Sequence, residues 1–543
     1  MASAKFSRKE FEKHIKLTKV IEEKIPLFGT GLESISEEEI IIEVNPNRPD
    51  LLSMHGFLRA FKAFLGKETG LKKYRLHTPE DNYKVMVDSS VSKVRPFTAC
   101  AIVKNLNFDD EKIKEIVDLQ EKLHSTLGRN RKKLAIGIYP LEKITLPIKY
   151  EARKPKDIIF VPLESNKKMN AEEILNKHPT GKSYAHLLKN YSEYPIFIDS
   201  KNNILSMPPI INSHETGKVT EETKDVFIEC SGNDLESLKK TLNIITTTLA
   251  DMGGKVYQMN LQYGKNKIIT PDLSARKIKI SIDKANSLLG LNLKEKDLEK
   301  LLPRMGYDYK KPNVSIPAWR TDIMHEVDII EDIAIAYGYN NLIPELPSVA
   351  TSASESKEEI IKNKIAEILI GLNLLEVSSY HLIKEEEADK IKLKDRITVD
   401  NAKTEYKILR PNLYISALRI LSENKDNEYP QKIFEIGKVF SKSETSVKEQ
   451  TNLMIALAPG NFTIIKQILE SLLHPLNINS KLTESRNEIL IEGRTAEISI
   501  NGEKTGFIGE VHPSTLKDFG VKMPVSLLEI NIDEIISILG HPK

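Results

Sequence analysis

The period of the apolar positions changes several times along this chain, and each change marks an element. Phe6 precedes Ser7, with Glu10 three positions after Ser7 and Phe11 four; this is the arrangement of a capping box with a hydrophobic staple. A helix is therefore expected almost at once. The run 40–44 reads as a strand, and the two prolines of Asn45-Pro46-Asn47-Arg48-Pro49-Asp50 keep that segment out of helix. Asp50 is placed to cap the next helix, whose apolar positions Met54, Leu58, Phe61 and Leu65 recur on one face before Gly66. These elements make a small N-terminal α+β domain over residues 1–75.

From 85 to 264, short apolar runs at 99–103, 134–139, 158–161, 196–199 and 226–230 alternate with helical and loop segments, the pattern of a second α+β domain. Ile278, Ile280 and Ile282 alternate strictly, as in a half-buried strand. A helix near 297–305, a strand at 314–316 and an acidic helix complete a small helix-strand module at 270–345. The polar run 347–356 reads as a linker, after which Ile361, Ile365, Ile368 and Leu369 open an amphipathic helix. Strands expected at 433–440, 453–458, 495–500 and 527–532 belong to a last domain, 350–543. The fold class is multidomain α+β, without internal repeats.

Composition narrows the function. A chain of 543 residues holds three or four domains of about 150 residues each. Its 29% charged residues nearly cancel to a net +2, which argues against a uniformly basic nucleic-acid coat, so any nucleic-acid contact must be local. Two cysteines, Cys100 and Cys230, make neither a disulfide framework nor a zinc spacing, and a reducing, cytoplasmic setting is expected. No signal-peptide core and no long apolar span is read anywhere, so no membrane is expected.

Three polar constellations carry chemistry. Asp328, Glu331 and Asp332 stand at helical spacings that place their β-carbons about 5–6 Å apart, opposite an apolar stripe of Ile329, Ile330, Ile333 and Tyr337. Asp322, where the chain enters the helix, adds a fourth oxygen donor for a hard divalent cation such as Mg2+. The spacing equally suits a solvated acidic face near a helix N-terminus, because such repulsion costs only about 0.2–0.5 kcal/mol per pair. Arg129, Arg131, Lys132 and Lys133 form a tight basic cluster, suited either to phosphates or to a solvated loop. Gly181-Lys182-Ser183 echoes a phosphate-binding loop, but Asn176 stands where that loop needs glycine.

Several longer motifs, in order, resemble the beta subunits of phenylalanyl-tRNA synthetase. They are Asn45-Pro46-Asn47-Arg48-Pro49-Asp50-Leu51-Leu52-Ser53-Met54-His55-Gly56, then Leu205-Ser206-Met207-Pro208-Pro209-Ile210-Ile211-Asn212-Ser213, then Ile316-Pro317-Ala318-Trp319-Arg320-Thr321-Asp322-Ile323 with the acidic helix and Tyr337-Gly338-Tyr339-Asn340. Leu409-Arg410-Pro411-Asn412-Leu413 and Phe434-Glu435-Ile436-Gly437 continue the likeness. The length, with no added C-terminal anticodon-binding domain, resembles the archaeal and eukaryotic type.

The resemblance implies a tetramer of two alpha and two beta subunits that charges tRNA(Phe) with phenylalanine using ATP, with the synthetic site in alpha. It implies Mg2+ held by Asp322, Asp328, Glu331 and Asp332, the last standing where the family more often has glutamate. Residues 350–543 resemble a class II synthetase antiparallel sheet domain without catalytic residues. No glutamate follows Arg410 as the catalytic motif requires, and Gly493-Arg494 lacks a glycine-rich strand, so the cations that would clamp ATP are missing. The domain at 85–264 matches the family's editing domain. A hydrophobic pocket rejects an added hydroxyl by only about 100-fold, and a second site that hydrogen-bonds the hydroxyl removes the error. Glu229 is expected to accept the tyrosine hydroxyl, Ser206 and Ser231 to place substrate or water, and Phe197 to line the ring slot, with Glu229 and Ser231 standing where Asp and Thr are usual. The bland reading is that Glu229 and Ser231 merely end a strand. The alternatives at the level of function are a non-editing subunit that braces alpha and holds tRNA, and a magnesium-dependent phosphodiesterase with His325 as its only nearby acid or base. Trp319 and His325 are otherwise read as packing and helix-surface residues.

Overall fold

The computed structural model describes residues 2–346, 348, 351–444 and 446–540. It divides into two compact units, Met1–Glu345 and Leu346–Lys543. Residues 347, 349 and 350 of the expected linker lie outside the described residues.

The first unit opens with an antiparallel sheet in the order Ala2–Ser7, Glu39–Val44, Gly31–Ile35. Ser7 accepts from the Glu10 amide and starts the helix Arg8–His14, and Phe6 and Phe11 are both buried beside Phe57. Phe28, Phe57, Phe61 and Phe64 pack ring against ring on the helix Met54–Phe64, with centroids 5.2–6.2 Å apart. Such pairs contribute about 0.5–1.5 kcal/mol each beyond their buried area. Asp50 does not cap that helix. Its carboxylate takes a bidentate bond from Arg48 at 2.9 Å, and Ser53 supplies the cap by accepting from the Gly56 amide. A salt-bridged carboxylate already has its donors, so the hydroxyl three residues later takes the free N–H.

Next comes a large mixed sheet in the order Ile211–Asn212, Ile204–Met207, Tyr194–Ile198, Ile148–Arg153, Lys84–Val87, Lys255–Tyr263, Phe97–Lys104, Val226–Gly232, Leu134–Pro140. The helices Asp110–Ser125 and Leu235–Asp251 cover one face. Alternation sorts each strand: Ala99, Ala101, Val103, Ile136, Ile138, Val226 and Ile228 pack on the helix side, while Cys100, Ile102, Tyr139 and Phe227 pack on the other. Burial on both faces explains why these runs read as continuous apolar sequence. The run 158–161 shortens to a two-residue strand, Ile159–Phe160, paired with Met169–Asn170.

A three-stranded sheet, Arg276–Lys279, Asn313–Ile316 and Asp308–Lys310, carries the helices Ile282–Leu289, Glu295–Arg304 and Glu326–Tyr337. Ile282 is not a strand residue. Ser281 accepts from the Lys284 amide and caps a helix there, so the i, i+2 isoleucines straddle a strand and a helix start.

The second unit is built on a sheet in the order Leu375–Glu376, Gln431–Lys442, Val447–Ala458, Ser526–Asn531, Glu503–Val511, Leu490–Ile500, Ser480–Glu484. It is antiparallel apart from the short Leu375–Glu376, which pairs in parallel at the edge. Helices Lys357–Gly371 and Phe462–Leu473 pack on one face, Tyr414–Glu423 and Pro513–Phe519 on the other.

Candidate functional site

A cavity of about 560 Å3 opens in the large sheet of the first unit, lined by Ile136, Ile138, Ile210, Asn212 and His214 with Glu229 among them. Glu229 lies in the interior of Val226–Gly232, in register with Cys100 on one neighbour and Gly137 on the other. Only 1% of it is exposed, and Ser231 is fully buried, so neither is a polar strand ending. The Tyr139 hydroxyl lies 3.2 Å from Glu229 Oε1 and 3.3 Å from Asn212 Oδ1. It reaches there across Gly137, where a Cβ would fall on that hydroxyl.

Glu229 Oε2 has no partner. Burial pushes its carboxyl up to about 8, against the opposing pull of Arg95, Tyr139 and Ser231. That shift favours the protonated form, which donates as well as accepts. Arg95 is itself buried and fixed, donating to the Ser231 carbonyl at 2.8 Å and to its hydroxyl at 3.3 Å.

The four expected pocket residues thus divide. Glu229 lines the cavity. Ser206 is buried with its hydroxyl unpartnered, on the strand beside Asn212. Ser231 is tied to Arg95. Phe197 is not among the lining residues; it stacks on Tyr150 with centroids 4.3 Å apart, inside the buried cluster behind the cavity. Asn212, Tyr139 and Arg95 were missed as site residues. Asn212 had a signal, a lone amide after the apolar run Ile210-Ile211, whereas Tyr139 ends an apolar strand and reads as core.

At the basic cluster, Arg131 lines the same cavity, donates to the Ile210 carbonyl at 2.9 Å and to Glu121 at 2.9 Å, and lies 4.5 Å over the Tyr184 ring. Lys133 pairs with Asp234 at 3.7 Å. Arg129 and Lys132 are exposed, on a turn whose residues 129–131 all have positive φ. Gly181 sits in the short helix Pro179–Tyr184, packed on the Ile174 carbonyl, and forms no phosphate loop.

The acidic helix has a cation of its own. Arg320, 6% exposed, donates to both oxygens of Asp322 at 2.9 and 2.7 Å and to Asp332 at 2.7 Å, and Tyr307 also donates to Asp332. Asp328 accepts the Met324 and His325 amides at 2.7 Å each and so serves as the N3 residue of the helix cap. Glu331 is exposed, and partial burial followed by the charges of Asp332, Asp328 and Asp322 raises its pKa. Among the described residues, no group of three or more His, Cys, Asp or Glu is placed to hold a metal ion. As they stand, the four carboxylates do not fit one coordination shell, because Asp322 and Asp332 are taken by a guanidinium and Asp328 by backbone amides.

In the second unit Arg410 is 1% exposed, its Nε bonded to the Lys438 carbonyl at 2.8 Å and its Nη1 to Ser379 Oγ at 2.7 Å and to Glu435 at 2.7 Å. Arg494 is exposed and pairs with Glu510 at 2.6 Å.

Residues 96–249 match the B3/4 domain family, 278–339 the tRNA synthetase B5 domain and 343–532 the phenylalanyl tRNA synthetase beta chain CLM domain. The phenylalanine-tRNA ligase beta subunit of Thermococcus sibiricus is 39% identical over 497 residues, covering 89% of this chain and 88% of its own length. The chain belongs to the phenylalanine-tRNA ligase beta-subunit family. The beta subunit of Methanococcus aeolicus is 37% identical across 98% of this chain and all of its own. A solved N-terminal fragment of the Pyrococcus horikoshii beta subunit is 38% identical, with a TM-score of 0.59, and covers 62% of this chain and 99% of the fragment. The Glu229 cavity falls within the B3/4 match and the Arg320 cluster within the B5 match. Among the described residues, no helix is long and apolar enough to cross a membrane.

Proposed function

We propose that this beta subunit works in a tetramer of two alpha and two beta subunits in which alpha joins phenylalanine to tRNA(Phe) at the expense of ATP, and that its own Glu229 cavity hydrolyses Tyr-tRNA(Phe). The carrying observation is a buried carboxyl on the cavity wall, 1% exposed, with one oxygen unpartnered. Tyrosine brings a hydroxyl that satisfies Glu229. Phenylalanine leaves it unpaired, at a cost of about 1–3 kcal/mol. Tyr139 holds Glu229 in place through Oε1, with Asn212 beside it on the cavity wall, and water attacks the ester carbonyl to release tyrosine and free tRNA.

In the assembled holoenzyme, Glu229→Ala is expected to let Tyr-tRNA(Phe) accumulate, with its deacylation slowed at least about tenfold by the loss of one buried hydrogen bond to a polar partner. Unchanged deacylation refutes the assignment and leaves a subunit that braces alpha and holds tRNA.

Magnesium at Asp322, Asp328, Glu331 and Asp332 is a separate proposal. Glu331 supports it, since burial and then the nearby carboxylates disfavour its ionised form, and a cation would relieve that repulsion. Arg320 must release Asp322 and Asp332 for all four to take part, so no step of the reaction is routed through the ion.

A further inference from the structure

A second cavity in the first unit, about 180 Å3, is lined by one face of the helix Met54–Phe64, the segment 68–72, Pro317, Trp319 and Arg320, with Arg48 and Asp50; of its two carboxylates, Asp50 is held by Arg48 and Glu68 is paired with Lys62 at 2.9 Å. Three arginines line it, Arg48, Arg59 and Arg320, each no more than 8% exposed. In a guanidinium, the Nε and Nη2 protons point side by side along one edge, which matches two oxygens of a single oxyanion. In Arg48 that edge grips Asp50, at 2.9 Å for both bonds. In Arg320 it grips Asp322, at 2.9 and 2.7 Å. In Arg59 the same edge is buried and neither nitrogen has a partner.

The rest of Arg59 is accounted for. Its Nη1 donates to Asp251 at 2.6 Å and to the Tyr74 hydroxyl at 3.0 Å, and its Cζ lies over the Trp319 ring, 4.5 Å from the centroid. A ring face attracts the charge but accepts nothing from in-plane N–H groups on the free edge. Asp251 is not available to that edge either, because its other oxygen takes Lys72 at 2.9 Å and the Tyr74 hydroxyl at 2.7 Å. Arg59 and Lys72 therefore share one carboxylate, and Lys72, half exposed, also lines the cavity. Arg320 lies near enough to Arg48 for the two positive charges to oppose each other.

We propose that this cavity binds one phosphate-sized oxyanion, taken bidentately by the Nε/Nη2 edge of Arg59 and charge-paired by Lys72. The volume holds a phosphate group with a few waters. The assignment is independent of the editing reading, since the two cavities share no lining residue.

The test is thermal unfolding of the full chain with inorganic phosphate against chloride at equal ionic strength, with AMP as a second arm. Wild type is expected to show a saturable rise in melting temperature with phosphate, on the order of 1–3 °C at ten times Kd. Arg59→Lys keeps the charge but loses the fork, and is expected to lose the saturable rise; Lys72→Gln is expected to weaken phosphate binding several-fold. An equal rise with AMP assigns the site to a terminal phosphate of a nucleotide, and a rise with phosphate alone assigns it to the free ion. No saturable rise in wild type, or an equal one in a folded Arg59→Lys chain, overturns the proposal. Where Arg59→Lys fails to fold by circular dichroism, an unchanged rise in Lys72→Gln overturns it.

Discussion

Glu229 is destabilising in the free protein, and the sign of its effect can be measured. Its folded pKa stands near 8, above the ordinary carboxylate value of 4.5. Below 4.5 both states hold the proton and the group contributes nothing. Between 4.5 and 8 the unfolded chain gives up a proton that the folded chain keeps, so stability falls as pH rises, by at most about 1.4 kcal/mol per pH unit, and levels off above 8. Glu229→Gln removes that slope. Chemical unfolding of both proteins across this range should show the variant gaining on wild type as pH rises; parallel curves would place the carboxyl in a solvated setting. The sequence made Glu229 visible through its family motif, yet its burial and its Tyr139 contact were not legible. They depend on which face of the strand turns toward the cavity and on Gly137, which leaves room for a ring two residues on.

At the scale of elements, the local rules read well where one effect acted alone. The helix after Ser7, the strand ending at Val44 and the apolar strands of the large sheet follow from capping and period. They failed where ionic pairs competed. Asp50 looks like a cap in sequence, but Arg48 claims it and Ser53 takes the role. Removing the Ser53 hydroxyl should therefore cost about 1 kcal/mol, the usual worth of a cap. Asp50→Ala strands a buried guanidinium and should cost about 3–5 kcal/mol. Urea unfolding followed in the first unit would separate these, and equal costs would contradict the assignment. The acidic helix gives the same lesson: Arg320 sits two residues before Asp322, and sequence spacing does not show that its side chain folds back among the carboxylates. Arg320→Met should destabilise the module by about 3–5 kcal/mol, because Asp322 and Asp332 are then buried without their cation. A change under about 1 kcal/mol by the same unfolding assay would mean that another cation holds them.

For the whole molecule, three matches in chain order and relatives aligned nearly end to end agree with the sequence motifs on the family. Family membership was legible because long motifs survive in order. The polar run 347–356 reads as a linker just after the division at Glu345, but it does not tell that the segments before it join in one unit. In the second unit, Arg410 is buried with its charge paired to Glu435, and Arg494 points to solvent with Glu510, so neither is placed to clamp a triphosphate. The chain without alpha should show no phenylalanine-dependent pyrophosphate exchange, and exchange should appear when the proposed partner is added. Exchange by the chain alone would contradict this reading of its second unit.

Whether the Glu229 cavity tells tyrosine from phenylalanine is measured most directly by single-turnover deacylation with the holoenzyme. Tyr-tRNA(Phe) should be hydrolysed on the order of 100-fold faster than Phe-tRNA(Phe), a ratio that collapses in Glu229→Ala, because a site built to hydrogen-bond a hydroxyl rejects the analogue that lacks it. Equal rates for the two esters in wild type, or a ratio untouched by the substitution, would contradict it.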